Sequence, residues 1–338
     1  MKKILMTSAV AASCVLSIAA HADVTVYGQV ENSITRVTAS TGDVTTTDEW
    51  KVADHASRLG FKGSEDLGGG LKVIWKYEQA YDTDGAGAIT AGRNAYVGLN
   101  GSFGTVLLGR HDTPHKTAWY ASGVDLLGNS VADMNHDGRT GDDTGAHHYD
   151  ERRQDNNIVY FSPNLSGFKV AVSMAPGETT DVDDGLADTW SAAVMYKGGG
   201  LKFGAGYESA ADGVADTPDE KRMHVSGTYA FDNITLGGSY ATVEDDANVE
   251  GDEKETLGIV GQIKFDKNAI GANYRNSDIT NAADGNSDLD SWAFWVSHSL
   301  SKRTRIYFAA AQHERDVAGG SANDQETEEY SVGLFHKF

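Results

Sequence analysis

Apolar residues that recur at every second position, in pieces of about ten, cannot form the stripe that a helix buries. They belong on one face of a strand. The clearest piece is Leu71 to Glu78, where Leu71, Val73, Trp75 and Tyr77 share one face and Lys72, Lys76 and Glu78 share the other. The same alternation runs through Val24 to Val37, Leu201 to Tyr207, Leu257 to Phe265 and Tyr330 to Phe338. Counted with the weaker runs, such as Arg58 to Lys62, Arg93 to Leu99 and Gly104 to Arg110, it yields sixteen predicted strands. No long segment carries an apolar stripe at helical spacing.

The connections alternate in length. Short ones, such as Asp66 to Gly70, Asp232-Asn233 and Asp266 to Asn268, are followed by long acidic ones, such as Ser40 to Glu49, His111 to Arg152 and Glu314 to Glu326. Short turns at one end and long loops at the other, with an even number of antiparallel strands, are the pattern of a barrel that crosses the bacterial outer membrane. Closure pairs every backbone group, so segments this weakly apolar can lie in lipid. The predicted fold class is all-β: a 16-stranded antiparallel transmembrane β-barrel.

The N-terminus supports export. Lys2 and Lys3 precede the apolar or small run Ile4 to Ala20, and Ala20-His21-Ala22 is a small-x-small site. Residues 1–22 are therefore expected to be a cleaved signal peptide, with residues 23–338 forming one barrel domain. Cys14 lies inside the leader, so the mature chain has no thiol for catalysis, a disulfide or a metal. Loss of the two leader lysines takes the formal charge from −21 to −23, which argues against nucleic acid as a partner.

Several pieces in order resemble the Gram-negative general porin family, the sixteen-stranded trimeric porins of proteobacteria. They are Val24 to Gly28, Ser57 to Gly68, Arg93 to Leu99, Gly104 to Arg110, Asn156 to Pro163 and the terminus Val332 to Phe338. The resemblance implies an outer-membrane general diffusion porin passing small hydrophilic solutes and ions, with no enzymatic activity and no cofactor. A substrate-selective porin for anions or organic acids is the alternative. It further implies a homotrimer, contact with lipid and lipopolysaccharide, and recognition of Phe338 by the barrel-assembly machinery. His336 departs from a purely apolar outward row.

The family folds a long third loop into the lumen, where acids face basic wall residues. Carried over by motif, the wall set is Arg58, Arg93 and Arg153, and Lys76 joins it on the polar face of its strand. Alternation supports the set. Leu59 and Phe61 face lipid, so Arg58 and Lys62 face water; Ile158 and Tyr160 face lipid, so Arg153 points in and Arg152 does not. A misplaced charge at mid-membrane costs about 2–4 kcal/mol, which gives the facing its force. Asp125 and Asp133 are the expected loop acids.

Two metal patterns also lie in the third loop. Asp133-Met134-Asn135-His136-Asp137-Gly138 reads as the first half of a calcium loop, with oxygen donors at Asp133, Asn135 and Asp137. The second half fails, because Thr144 stands where a bidentate Glu belongs. His147-His148 with His136 is a possible transition-metal set without defined spacing. A barrel enzyme would need an ordered nucleophile and base, and Ser297-His298-Ser299 offers no nucleophile elbow.

Overall fold

In the computed structural model each stave pairs antiparallel with the next, and the last strand pairs with the first. The structure describes residues 23–85, 87, 89–136, 152–177, 185–211, 218–245, 251–281 and 285–338. The strands are β1 (Asp23–Thr41), β2 (Val44–Asp54), β3 (Arg58–Gly68), β4 (Leu71–Tyr81), β5 (Ile89–Gly101) and β6 (Gly104–Asp112). After helix α1 (Pro114–Ser122) come β7 (Arg153–Phe161), β8 (Phe168–Ala175), β9 (Thr189–Gly198), β10 (Leu201–Ala210) and β11 (Glu220–Phe231). Then follow β12 (Ile234–Glu244), β13 (Glu253–Phe265), β14 (Asn268–Thr280), β15 (Ser287–Ser299), β16 (Thr304–Val317) and β17 (Gln325–Lys337).

These seventeen segments make sixteen staves. β1 pairs with β2 through Asn32–Thr41 and with β3 through Asp23–Gln29, so β2 and β3 are halves of one stave. The break falls at residues 55–57, where Ala56 has a φ of 57°. Its polar groups stay paired: His55 N donates to Glu31 O, and Gln29 Nε2 donates to Ala56 O. β17 closes the barrel on β1, in register from Gln29↔Lys337 to Thr41↔Gln325. Beyond β17, Phe338 exchanges two backbone hydrogen bonds with Gly28 and lays its ring over that glycine's α-carbon.

The barrel is apolar outside and polar inside. On β13, Leu257, Ile259 and Ile263 are exposed, whereas Lys254, Thr256 and Gln262 are buried. On β1, Ile34 is exposed while Gln29, Glu31, Ser33 and Thr35 are buried. A soluble sheet orients these classes the other way, so the outward face is built for lipid. Aromatics mark both edges of the apolar band. Phe168 meets Tyr196 beside the short turns, and Trp190 meets Tyr207 near the long-loop ends of their strands. On β17 the outward row is Tyr330, Val332 and Leu334, ending with Phe338 beyond the strand. At about 3.3 Å per residue and a tilt of 35–45°, Tyr330 and Phe338 lie roughly 20 Å apart across the bilayer.

Three loop expectations change. Ser40 to Glu49 is not a loop: β1 runs to Thr41, turns at Gly42-Asp43 and resumes as β2. The loops expected over Asn276 to Asp288 and Glu314 to Glu326 are shorter, because β14 to β17 continue past the apolar band. At the other end the short turns hold. Gly68, Gly69 and Gly70 all have positive φ, a run that only glycine makes without strain.

The third loop contains a helix. Thr113 caps α1 by accepting the Lys116 amide at 3.3 Å, Pro114 opens its first turn, and Gly123 ends it in the left-handed region. The segment from α1 to Met134 packs on inward residues of β10 to β16. Trp119, Val124, Leu127, Val131 and Met134 form one apolar cluster with Val260, Trp295 and Tyr307. Small wall residues make room: a Cβ at Gly204 would overlap the Ala118 carbonyl oxygen, and one at Gly206 would lie 2.7 Å from His115 Cα. Wall side chains pair with the loop backbone. His115 N donates to Ser191 Oγ (3.0 Å), Thr228 Oγ1 to Ser122 O (2.8 Å) and Asn273 Nδ2 to Ala132 O (2.8 Å).

Candidate functional site

β3, β4 and β5 turn cations inward across the barrel from the wall that the third loop covers. Glu78 of β4 is the centre of the first group. Its Oε1 accepts from Arg93 Nε at 2.7 Å, and its Oε2 accepts from Tyr27 OH at 2.7 Å and lies 3.1 Å from Lys76 Nζ. The ammonium groups of Lys62 and Lys76 stand 5.1 and 5.6 Å from the Tyr27 ring centroid. At that distance each ammonium is within cation–π reach of the ring face.

Asp112, at the end of β6, is the centre of the second group. Arg153 Nη2 is 2.9 Å and Lys116 Nζ 3.6 Å from its Oδ1, and Asn94 Nδ2 donates to Oδ2 at 2.7 Å. Arg153 Nε also donates to Asn94 Oδ1 at 3.0 Å. Arg58 opens β3 within electrostatic range of Arg93, Glu78 and Tyr120 of α1. Among the described residues Arg58 has no ion pair. Six cations, Arg58, Lys62, Lys76, Arg93, Lys116 and Arg153, thus stand around two carboxylates.

Arg58, Lys76, Arg93 and Arg153 all lie in this patch, but alternation alone does not account for Arg93. Val97 and Leu99 are exposed, so strict alternation would send Arg93 outward. A register shift opposite Glu78, between the pairs Tyr77↔Ala95 and Gln79↔Gly92, brings both Arg93 and Asn94 to the inner face. Arg152 is a correction. Expected to point away, it is partly buried within range of Arg222, Glu208 and Glu220. Glu208, Glu220 and Arg222 share the inward parity of β10 and β11, and Arg222 Nη1 donates to Glu208 Oε1 at 3.0 Å. Burial, then repulsion by Arg222, lowers the Arg152 pKa from its ordinary value.

Neither expected loop acid touches an arginine of the patch in the hydrogen bonds and ion pairs observed. Asp125 folds back over Gly128. Asp133 uses its carboxylate inside the loop, accepting Asn129 N at 2.7 Å and Asn135 N at 2.8 Å. Its main-chain oxygen accepts from Arg275 Nη1. Glu31 lies within electrostatic range of both Asp133 and Arg58. Of the calcium pattern, Asp133 and Asn135 are placed in this turn, and Asp137 lies outside the described residues. His147 and His148 lie outside them too, and His136 contacts Glu329. Ser297 and His298 face opposite sides of β15 and form no catalytic pair: Ser297 is buried, and exposed His298 contacts Asn268. His336 keeps the outward row partly polar and contacts the Thr304 hydroxyl at 2.9 Å.

A family model described as Gram-negative porin matches residues 7–318. The chain is a Gram-negative porin. Over the full length of both chains, this porin is 29% identical to the major outer membrane protein P.IB of Neisseria meningitidis serogroup A. It is 27% identical, again over both full lengths, to P.IB of Neisseria lactamica. Its fold is similar to that of an anion-selective porin from Comamonas acidovorans, with a TM-score of 0.74, 23% identity, and coverage of 94% of this chain and 100% of that one. The outer membrane channel DcaP of Acinetobacter baumannii gives a TM-score of 0.69 at 17% identity, over 94% of this chain and 97% of that one. This porin is an outer-membrane diffusion channel rather than an enzyme.

Sequence reasoning missed the two carboxylates that organise the patch. Glu78 sits on the same polar face as Lys76, and Asp112 directly precedes the Thr-Pro signal of α1. Both were visible as inward or loop-entry acids. Nothing in the linear sequence shows that they converge with Arg93 and Arg153.

Proposed function

We propose that the solute path of this porin narrows between the third loop and the cationic patch on β3, β4 and β5, with Arg153 at its edge. The observation that carries the reading is six cations around two carboxylates, with Arg58 in no ion pair among the described residues. Such a patch concentrates anions and slows cations in a water-filled bore. Asp125 and Asp133 stand on the loop side of the path. The acidic outer loops draw cations into the vestibule, so selectivity is weak and leans to anions.

The test is the reversal potential of the reconstituted porin in a KCl gradient. A unit charge about 7 Å from a passing ion in water is worth roughly 0.6 kcal/mol, close to a threefold change in local ion concentration. Arg58→Ala is expected to lower the anion-to-cation permeability ratio by about that factor. A strong cation preference that Arg58→Ala leaves untouched sinks the assignment.

A selective porin for organic acids is the second reading. The patch favours it, as does the similar fold of the anion-selective porin from Comamonas acidovorans. Conductance block by a small carboxylate at micromolar concentration would separate it from general diffusion. The proposal extends to a homotrimer, in keeping with the trimer form described for a Vibrio cholerae relative of similar fold. It includes removal of residues 1–22 on export, lipid and lipopolysaccharide around the apolar band, and reading of Phe338 by the assembly machinery. The seam contact of Phe338 on Gly28 supports the last point.

A further inference from the structure

Two histidines and a glutamate meet where the third loop ends its described course against the barrel wall. One ring nitrogen of His136, one of His313 and a carboxylate oxygen of Glu329 lie within 4.8 Å of one another. His136 comes from the loop. His313 of β16 and Glu329 of β17 are diagonal cross-strand neighbours on the inner face, since Ala311 pairs with Glu329 and His313 with Thr327. We propose that these three side chains form a site for a borderline transition-metal dication of the zinc class, which ties the loop to the wall.

The chemistry of the set is that of zinc rather than calcium. Two imidazoles and one carboxylate are a metal-site composition for Zn2+, whereas Ca2+ takes oxygen donors throughout. The geometry is close to what the ion requires. Ligands about 2.0–2.1 Å from a tetrahedral ion stand roughly 3.4 Å apart. Glu329 Oε2 is 3.7 Å from His313 Nε2 and in direct contact with His136 Nε2. The loop histidine need retreat by only about an ångström to admit the ion. The two rings meet edge to face, with centroids 5.2 Å apart at 86°.

His313 supplies the independent sign. It is 2% exposed, and its Nε2 makes no hydrogen bond of 3.5 Å or less among the described residues, with the Glu329 carboxylate standing off at 3.7 Å. A buried imidazole nitrogen left short of a full hydrogen bond is costly in a native structure and calls for a reason. On the other side of the ring, Nδ1 lies 2.8 Å from Ser291 Oγ. In the tautomer that donates there, Nε2 carries the free lone pair, and the bond from Nδ1 to Ser291 is the outer-shell contact that fixes the tautomer of a ligating histidine. His136 also lines a cleft of about 260 Å³ with Asp54, His55, Ser130 and Asp133, which gives the site access to water. His55 stands within electrostatic range of His136 and Glu329, and water or a solute would complete the coordination. Arg275 opposes a dication there. Its guanidinium is committed to the Asp133 carbonyl, and the Glu329 and Asp133 carboxylates offset it.

Metal binding is measured on the folded barrel, whatever ions the pore selects, so its failure leaves the pore reading intact. The mature chain, refolded in detergent and stripped with EDTA, is titrated with cobalt(II) chloride and then zinc chloride. One cobalt per chain is expected, with the intense visible absorption of a four- or five-coordinate site that zinc abolishes. His313→Ala and Glu329→Gln each weaken binding at least tenfold, and His298→Ala, on the outer face of β15, leaves it unchanged. His136→Ala lies in the loop and keeps the question open to test should a wall variant fail to fold. No cobalt band in the wild-type porin overturns the site, as does a His136→Ala affinity equal to wild type.

Discussion

Glu78 holds three groups that would otherwise repel or stand unpaired, Arg93, Lys76 and the Tyr27 hydroxyl. A buried carboxylate with this many donors fixes their positions as much as it offsets their charge. Replacing it with an uncharged isostere therefore frees two cations in the lumen. Glu78→Gln is expected to raise the anion-to-cation permeability ratio about threefold, by the same estimate that gives Arg58→Ala its threefold fall. The two changes have opposite signs at neighbouring positions, which separates a local field from general damage. Arg93→Ala lowers the ratio, and the Arg93→Ala/Glu78→Gln double variant returns it near wild type, because the pair leaves together. Reversal potentials of the four proteins form a double-mutant cycle: opposite shifts that cancel in the double variant mean that the two charges add in one local field, and a double variant that stays at either single value would refute that.

At the scale of the element, α1 rests on β10 because two glycines let it. Any side chain at Gly204 meets the Ala118 carbonyl, and the barrel wall behind it cannot yield. Gly204→Leu therefore moves the helix in the one open direction, into the lumen. Single-channel conductance is expected to fall with the barrel intact, whereas Gly238→Ala, whose new Cβ meets only Gly258 O at 3.4 Å, leaves it unchanged. Leu127→Ala acts by loosening. Leu127 is 1% exposed in the apolar cluster that ties loop to wall, and such a truncation costs about 2–5 kcal/mol. Trypsin is expected to cut the loop of this variant faster, and a rate equal to wild type would show that the cluster does not hold it. All sixteen staves were legible in the sequence, because lipid on one side and water on the other impose a period of two. Where that contrast ends, legibility ended with it. β1 and β2 continue beyond the apolar band through Thr38 to Glu49 with polar residues on both faces, and so read as a loop. The Thr113-Pro114 start and Gly123 stop of α1 were present, but nine residues carry too little periodicity to announce a helix. The inward turn of Arg93 depends on a bulge, which is set by the pairing of two strands rather than by either alone.

The whole molecule sets two fields against each other. The chain carries a formal charge of −21, and at the long-loop ends of its strands stand acids such as Asp43, Asp48, Glu49, Glu314, Asp316 and Glu326. The patch inside the bore is cationic. Ionic strength separates the two by distance. At 0.1 M salt the Debye length is about 10 Å, so the outer acids still enrich cations at the mouth. At 1 M it is about 3 Å, and only charges that a permeating ion nearly touches retain influence. The lumen patch is then the last field left. Raising KCl from 0.1 to 1 M at a constant gradient ratio is expected to shift the reversal potential toward anion preference, although screening weakens every single interaction. Neutralising the mouth, with Glu314→Gln and Glu326→Gln together, should produce much of the same shift at 0.1 M and little further change at 1 M. A shift toward cations on adding salt would mean that the outer acids reach the narrowest section themselves, and the cationic patch would then have to lie off the solute path.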